Sequence, residues 1–204
     1  MIINNKIIYI ILKQFKKKLR FIYIMLSHHI NTKETANTSS NMESFHKLSD
    51  NWTLWAHLPH NTDWSLKSYI QISSFSTIEE VIAVTESLPS ALVENCMLFL
   101  MRKGINPLWE DPKNRDGGCF SYKVLNKNVS IAWKELTYAV TGGSISTRNG
   151  FFESVTGITI SPKKNFCIIK IWMTNCNHQN PGSINPIKGL QAQGCLFKKH
   201  TPEF

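Results

Sequence analysis

The chain has 204 residues, of which 42% are hydrophobic and 18% are charged, and both fractions are ordinary for a globular protein. This length has room for one domain with a real core and for an appended or disordered end. The formal net charge of +9 favours partners that carry phosphate, either nucleic acid or an anionic membrane. However, seven of the basic residues lie in residues 1–41 against Glu34 alone, so charge by itself does not make the remaining body a nucleic-acid binder.

The five cysteines show no framework spacing, and their number is odd. This usage is typical of reduced thiols and predicts a cytoplasmic protein. Cys176-x-His178 followed by Cys195 and His200 has metal-binding residue types, but no C-x-x-C pair supports a zinc site. We therefore predict buried thiols, no metal site and no cofactor.

The first 26 residues form a basic and apolar segment whose short apolar runs are interrupted by the block Lys13–Arg20. No run approaches the roughly 18–20 apolar residues of a spanning helix, and no signal-peptide cleavage site is evident. One interpretation is a basic amphipathic helix on a membrane surface. The other is a poorly ordered extension, or translated sequence upstream of a start at Met25 or Met42. The sequence favours the second interpretation, without membrane attachment.

Residues 30–45 are polar and rich in Ser, Thr and Asn, which indicates a linker. We therefore predict a basic, largely disordered N-terminal extension over residues 1–44. The folded domain is predicted over residues 45–204.

The domain begins with strand patterns followed by a helix pattern. Asn51–Leu58 and Trp64–Phe75 alternate apolar and polar residues, which predicts two strands. Ser76 followed by Glu79 has the spacing of a capping box, and it predicts a helix that ends at Pro89.

The middle of the domain repeats this order. Cys96–Met101 is a continuous apolar run and predicts a buried strand, whereas residues 102–114 hold prolines and a glycine and predict a loop. Gly118–Leu125 predicts another strand. Ser130 then has the residue type of a helix cap, and the helix is expected to end near Thr141, before two glycines.

The last part of the chain predicts a hairpin from Thr156–Ser161 and Phe166–Thr174, a short helix opened by Asn185-Pro186, and a final strand at Cys195–Lys199. Most strands are too close in sequence for parallel crossovers. The predicted fold class is therefore α+β, with an antiparallel sheet backed by three helices on one face.

The chain has six tryptophans, and two of them lie at a turn or in a loop. Trp64 lies beside a turn and Trp109 lies in a loop with Pro and Gly, where an exposed indole gains no packing. Two facing loop indoles form a slot for a planar ring, and a cationic ring such as 7-methylguanine gains most from it. We assign the tryptophans Trp52, Trp55 and Trp133 to the core by default, because they lie on predicted elements.

Polar residues near this slot match the remaining groups of such a nucleotide. The Glu110 carboxylate can accept hydrogen bonds from N1–H and the 2-amino group of guanine, whereas adenine presents the wrong pattern. Phosphates require nearby cations, and Lys163, Lys164 and Lys170 lie on the predicted hairpin.

Residues 46–200 resemble the eukaryotic translation initiation factor 4E family, the messenger-RNA cap-binding proteins. Several spaced tryptophan motifs occur in one order, joined by a G-I-x-P-x-W-E-D element, and this combination is highly specific. The motifs are Asn51–Trp55 followed by Trp64, Phe75–Glu80, Gly104–Asp111, Asn114–Gly118, Trp133–Leu136 and Ile171–Thr174.

The resemblance implies a curved antiparallel sheet backed by three helices. It implies that Trp64 and Trp109 sandwich the methylated guanine, that Glu110 reads its edge, and that Trp172 contacts the N7-methyl group. Capped messenger RNA is therefore the expected partner of a monomeric protein. No catalytic motif is evident, and an enzyme is not expected.

The phosphate side of the site departs from the family pattern. Lys163 falls where the family has a phosphate-binding Arg, and Met97 replaces the Asp that orients this Arg. A second phosphate-binding Lys of the family falls on Ile168, and Lys170 on the same strand face is a possible substitute. Because Lys is a point charge where Arg is a fork, we expect looser or differently arranged phosphate contacts.

The partner-binding surface of the family also departs. The residues that fall on it are His46, Ile78, Ile82, Trp133 and Lys134. Ile82 replaces the Trp that family members present to the Tyr-x4-Leu-type peptide of the initiation scaffold, and Lys134 replaces a Leu. Loss of a central Trp costs about 2 kcal/mol or more at an interface. We therefore expect weak binding of the ordinary scaffold peptide, or a divergent partner.

Three functions remain open from the sequence. Cap binding for translation initiation leads, and cap binding without scaffold recruitment, which gives repression or RNA protection, is the first alternative. The third is a membrane-attached protein whose basic N-terminus is the working part.

Overall fold

The computed structural model describes residues 5–34 and 45–202, with side chains in the first range described as far as residue 25. Within these ranges, seven strands form one curved antiparallel sheet, and these strands are β1 (Lys47–His57), β2 (Tyr69–Thr77), β3 (Met97–Arg102), β4 (Gly118–Leu125), β5 (Val155–Pro162), β6 (Phe166–Met173) and β7 (Leu196–Lys199). Their order across the sheet is β2-β1-β3-β5-β6-β4-β7.

The described helices are α1 (Asn5–Glu34), α2 (Ile78–Ser87), α3 (Ser90–Asn95), α4 (Asn126–Thr141) and the single turn α5 (Phe151–Ser154). Short 3-10 helices cover Leu66–Ser68 and Pro181–Ser183. The antiparallel sheet with helices against one face confirms the predicted α+β fold class. None of the described helices combines the length and the apolar content that a bilayer crossing requires.

Alternation along the strands divides the sheet into two faces. The helix face carries the main core, in which Trp52, Leu54 and Leu100 pack under the helices. The opposite face, called the open face below, carries a smaller cluster made of Tyr69, Phe99, Met101, Cys119 and Trp172. Because successive side chains of a strand point to opposite faces, one strand serves both clusters.

The first helix of the domain, α2, begins one residue later than the sequence predicts. Thr77 is the N-cap, and Glu80 completes the capping box with it. Ser76/Glu79 and Thr77/Glu80 have the same spacing, so the spacing alone cannot select between the two pairs. Glu79 instead accepts hydrogen bonds from the backbone and ring of His46, at 3.2 Å and 2.7 Å.

The predicted cap of α4 is also wrong, because the helix starts at Asn126 and not at Ser130. Its first turn has no side-chain cap, but it buries Val129, which continues the inward stripe of Ala132, Trp133 and Leu136. Tertiary packing of an apolar face therefore outweighs the local cap signal.

The predicted helix at Asn185-Pro186 is absent, since the structure has irregular chain there. The Asn185 backbone N–H donates to the Ile145 carbonyl, and its side chain donates to the Ser144 carbonyl, both at 2.9 Å. These bonds attach the segment to a neighbouring loop. The second predicted strand is likewise shorter than expected, because β2 starts at Tyr69 and leaves Trp64 in the preceding loop.

The predicted disorder of the extension does not hold for Asn5–Glu34, which form α1. Ile8, Leu12, Phe15 and Leu19 recur every three or four residues, so they share one helix face, and all four are buried in the main core. The Lys-rich block falls on the other faces and does not interrupt this stripe. α1 packs against α2, α3 and β2. Most of the predicted linker, residues 35–44, lies outside the described residues.

Candidate functional site

Trp64 is one of the two tryptophans that are predicted to stack the base, and these two residues are called the walls of the candidate site below. Trp64 lies in the loop between β1 and β2, and 54% of its side chain is exposed. His57, the last residue of β1, stacks on the indole with ring centroids 4.3 Å apart and planes within 2°. His57 is buried, and its Nε2–H donates to the Asp63 carbonyl at 2.8 Å. Because a carbonyl only accepts, this bond fixes the tautomer and the orientation of the supporting ring.

The loop that carries Trp64 is closed by short side-chain hydrogen bonds. Asn61 Oδ1 accepts from the Asp63 backbone N–H at 3.0 Å, and Asp63 Oδ1 accepts from the Ser65 backbone N–H at 2.8 Å. Hydrogen bonding from Ser65 lowers the pKa of Asp63. Asn and Asp side chains favour turns through such local bonds, so Trp64 is held on a defined loop.

Aromatic rings continue across the open face from this wall. The His57 ring lies 5.0 Å from Tyr69, the Tyr69 ring lies 5.2 Å from Phe99, and the Phe99 ring lies 6.4 Å from Trp172. Trp172 is buried, and its Nε1–H donates to Thr159 Oγ1 at 3.1 Å. The site therefore has an apolar aromatic floor whose indole is fixed by a hydrogen bond.

Trp109 forms the second wall, on the loop between β3 and β4, and is 37% exposed. Two buried polar side chains hold this loop. Asp111 accepts from the Asn106 backbone N–H at 2.9 Å, and Asn114 Nδ2 donates to the carbonyls of Asn106 and Leu108 at 3.1 and 2.8 Å. These bonds replace secondary structure, so the loop presents Trp109 from a fixed frame.

His200 supports this second wall. Its ring stacks on Trp109 with centroids 5.7 Å apart and planes within 10°, and it lies 5.0 Å from the Trp172 ring. The Nδ1–H donates to the Asn114 carbonyl at 2.7 Å, and the buried Nε2 has no partner among the described residues. Burial lowers the pKa of His200, and the nearby Lys170 lowers it further. The neutral imidazole is therefore the form that fits this corner.

Glu110 follows Trp109 on the loop between β3 and β4 and is half-buried. In the part of the chain that the structure describes, no side chain pairs with its carboxylate. Burial raises the pKa of Tyr69, and the negative charge of Glu110 raises it further. The same charge partly offsets the lowering of the His200 pKa that burial causes. The carboxylate is thus close enough to Tyr69 and His200 to influence both groups, and among the described residues it has no side-chain partner that competes for its hydrogen bonds.

The three predicted phosphate-binding lysines do not lie together. Lys170 Nζ lies over the Trp109 ring in a cation–π contact, 5.2 Å from the ring centroid. Lys163 and Lys164 are exposed in the hairpin turn, where the Lys163 backbone N–H donates to the Phe166 carbonyl. At about 3.4 Å per residue, the six-residue step from Phe166 to Trp172 spans roughly 20 Å. Of the three, Lys170 is the one beside the tryptophans.

A further cation lies on the same side of the sheet. Trp172 pairs with Cys119 across β6 and β4, and Cys119 pairs with Lys198 across β4 and β7. Paired residues share a face, so Lys198 points to the open face in the row of Trp172. Lys199 points to the other face.

Two supporting residues, His57 and His200, were not assigned to the site from the sequence. For His57, alternation from Trp55 along the strand was an available signal, since both side chains then share a face. For His200 there was no local signal, because its contact with Trp109 joins distant parts of the chain. Among the described residues, no group of three or more His, Cys, Asp or Glu could hold a metal ion.

The predicted partner surface lies on the helix side of the sheet. Ile78 and Ile82 are one turn apart on α2 and remain 46% and 47% exposed. The exposed His46 ring contacts Glu79 beside them. Although burial acts to raise the pKa of Glu79, its hydrogen bonds with His46 lower it overall. These residues form a small exposed apolar patch with a polar border.

Trp133 and Lys134 differ in their exposure. Trp133 is only 2% exposed, so it supports the surface from beneath and does not present its indole to a partner. Lys134 Nζ forms an ion pair with Glu86 at 2.5 Å, and the Tyr138 hydroxyl donates to the same carboxylate at 2.8 Å. The hydrogen bond from Lys134 is the main cause of the lowered pKa of Glu86.

Comparison with known proteins identifies the relatives of this chain. The family described as eukaryotic initiation factor 4E matches residues 47–199. Eukaryotic translation initiation factor 4E-2 of Schizosaccharomyces pombe is 34% identical over 143 residues, which are 66% of this chain and 56% of that protein. The alignment therefore spans little more than half of that relative. Human eukaryotic translation initiation factor 4E is 28% identical over 162 residues, covering 72% of this chain and 73% of the human one.

A solved structure agrees with these relatives. A schistosome eIF4E complexed with m7GpppA and a 4E-BP superposes with a TM-score of 0.60 at 26% identity, covering 67% of this chain and 75% of that one. The matched family range includes both tryptophan walls, the aromatic floor and α2. The chain belongs to the eukaryotic initiation factor 4E family.

Proposed function

We propose that this chain binds the 7-methylguanosine 5′ cap of messenger RNA and acts in translation initiation in the cytoplasm. The observation that carries the proposal is the pair of partly exposed indoles, Trp64 and Trp109, each stacked on one side by a fixed histidine. Binding a cap changes no covalent bond, so the role is that of a binding protein and not of an enzyme.

The methylated base stacks between Trp64 and Trp109. An indole face carries negative quadrupole density, and a cation over it gains about 0.5–2 kcal/mol depending on desolvation. The base is positively charged only when N7 is methylated, so the unmethylated guanine loses this term. Trp172, at the floor, contacts the methyl group from the side.

The guanine edge is read by Glu110. A carboxylate accepts two parallel hydrogen bonds, and guanine offers N1–H and the 2-amino group in that arrangement. The absence of a competing partner for Glu110 among the described residues supports this role, because no existing bond has to break first.

The triphosphate lies toward Lys170 and Lys198. Lys170 is at the second wall, and Lys198 is two strands from Trp172 in the same row. Lys163 and Lys164 lie in the exposed hairpin turn, at the end of β6 farther from Trp172. The similar schistosome structure, which contains m7GpppA, supports the same ligand class for this chain.

Tryptophan fluorescence tests the proposal directly. A methylated cap dinucleotide is titrated into the protein and compared with its unmethylated twin. Strong quenching by the methylated form alone is the expected result. Equal or absent quenching by the two would mean that the family fold has been kept without the cap site.

A second candidate is a cap-binding repressor or RNA-protecting protein that does not recruit the usual scaffold. It is favoured by Ile82, which stands at the family's peptide-contacting Trp position, and by Lys134, which is engaged with Glu86. A pull-down with the scaffold peptide separates the two candidates. Retention of the peptide supports initiation, and its absence alongside intact cap binding supports repression.

A further inference from the structure

The outer surface of α1 is the largest feature that the proposed function does not use. The buried stripe faces the domain, but Ile7, Ile10, Phe21, Ile24 and Met25 on the remaining surface are each about half exposed. Ile7 and Ile10 lie near the N-terminal end of the helix, Phe21, Ile24 and Met25 lie past its middle, and the basic block separates the two groups. A helix that only packed on its own domain would not need these outward apolar side chains.

The charges of α1 have a single sign as far as its last residue. No acidic residue occurs in the helix before Glu34. An exposed helix stabilised by its own ion pairs would carry both signs. The basic block therefore has no carboxylate near it on the helix. The exposed cations of the central block are Lys13, Lys16, Lys17, Lys18 and Arg20.

An open groove runs between α1 and β2. Its apolar side is formed by Leu19, Tyr23 and Ile72, and four of the cations of α1 border it. Lys16 is directed toward the sheet edge, because its Nζ donates to the Gln71 carbonyl at 2.6 Å. An apolar groove with a cationic border matches a phospholipid, whose headgroup is charged and whose chains are not.

We propose that α1 docks this protein on an anionic lipid membrane, lying flat in the interface with its two outward apolar groups inserted and its basic block against the headgroups. RNA would satisfy the lysines alone, whereas the paired presence of half-exposed Ile and Phe side chains favours lipid. This inference reverses the expectation from the sequence, because the docked helix gives the basic segment a defined outer face. It does not depend on the cap site.

The position of α1 leaves the cap side unobstructed. α1 packs against α2, α3 and β2, on the helix side of the sheet. Trp172 and the aromatic floor belong to the open face. A molecule seated on a membrane through α1 therefore still presents its candidate cap site to the solvent.

Vesicle flotation of the full chain tests the proposal. The protein is expected to float with phosphatidylcholine vesicles that contain phosphatidylserine, and not with phosphatidylcholine alone. Lys13→Gln with Lys17→Gln should weaken binding about fivefold for each lysine, since a cation near an anionic surface contributes about 1 kcal/mol. The matched control is Lys103→Gln with Lys127→Gln, which removes the same charge from exposed positions outside α1 and should float like wild type.

The apolar half of the proposal has its own variants. Ile10→Ser with Phe21→Ser should reduce flotation, whereas Leu125→Ser, which is equally exposed on the domain body, should not. Circular dichroism of each variant checks that the fold is retained. Equal flotation with neutral and anionic vesicles, or none with either, overturns the proposal. The proposal is also overturned if the protein does not bind vesicles but binds an uncapped RNA oligonucleotide, and if this RNA binding is weaker in the lysine variant.

Discussion

The imidazole of His57 lies parallel to the indole of Trp64, with centroids 4.3 Å apart and planes within 2°. The stack covers one face of an indole that is otherwise more than half exposed, and His57 is itself anchored to the loop by the Asp63 carbonyl. The second wall repeats this arrangement with His200 against Trp109. Each wall is therefore held in place before any ligand binds, which lowers the ordering cost of binding.

Removing either wall should weaken cap binding. Trp64→Ala or Trp109→Ala removes one stacking face, which is worth about 1–3 kcal/mol per base. Calorimetric titration with a methylated cap analogue measures the loss. Leu66→Ala is the control, because Leu66 is exposed in the same loop region as Trp64 and is not expected to touch the base. Wild-type affinity in both Trp variants would place the ligand elsewhere.

Specificity for guanine should depend on Glu110. Glu110→Gln removes the charge and one of the two acceptors, and a hydrogen bond to a charged group contributes about 1.5–3 kcal/mol. The preference for a methylated guanosine over a methylated adenosine cap analogue is expected to shrink by at least tenfold in competition binding. Asp116→Asn, an exposed charge loss on the same loop, should leave the preference intact.

Acid should destabilise the protein through His200. Burial lowers the pKa of His200 in the folded state, whereas the unfolded chain has the ordinary value of about 6.5. Below that pH the unfolded state binds a proton that the folded state does not, so stability is full above pH 6.5 and falls as the pH drops toward the folded pKa. Urea unfolding between pH 7 and pH 5 should therefore show a slope.

The variant His200→Phe keeps an aromatic ring and removes the titrating group, so it isolates this effect. Its stability at pH 7 should be lower, because the bond to Asn114 is lost. Its dependence on pH across the same window should be flatter than that of wild type. Identical slopes in the two proteins would show that His200 does not titrate in this way. The lowered pKa values of Glu79 and Glu86 act at more acidic pH and do not enter the window.

The sequence predicted the fold class and the exposure of Trp64 and Trp109 because both depend on local signals. The stacking of a base between the two indoles stays a prediction. Trp64 and Trp109 lie in turn-rich segments, and the antiparallel sheet follows from short alternating runs. The supports at His57 and His200 depend on contacts between distant segments, which no spacing encodes. The cap of α2 was misplaced because two neighbouring residue pairs have the same capping-box spacing. The cap of α4 was misplaced because packing of its apolar face decides where the helix starts. In α1, the lengths of the apolar runs were considered, and the apolar residues that recur with the helical period of 3.6 were missed.

A substitution on the altered partner surface should strengthen the binding of a scaffold-type peptide. Ile82 is exposed on α2, and the resemblance to the family predicts that it replaces a Trp that contacts a Tyr-x4-Leu-type peptide. Ile82→Trp should strengthen binding of such a peptide by about 2 kcal/mol, the scale of a central interface Trp. Calorimetry of wild type and variant with one peptide measures it, and Ile78→Trp is the neighbouring control. Tight binding by wild type would contradict the expectation.

The packing of α1 on the rest of the domain should contribute to the free energy of unfolding of the whole domain. Leu12 is buried between α1 and the domain, and replacing a buried Leu by Ala costs about 2–5 kcal/mol. Ile10 is half exposed on the same helix, so Ile10→Ala should change the free energy of unfolding by far less. Urea denaturation of the two variants compares a buried and an exposed position in one helix. If Leu12→Ala were as neutral as Ile10→Ala, α1 would not be packed on the core, and a membrane would meet a free helix instead of a fixed one.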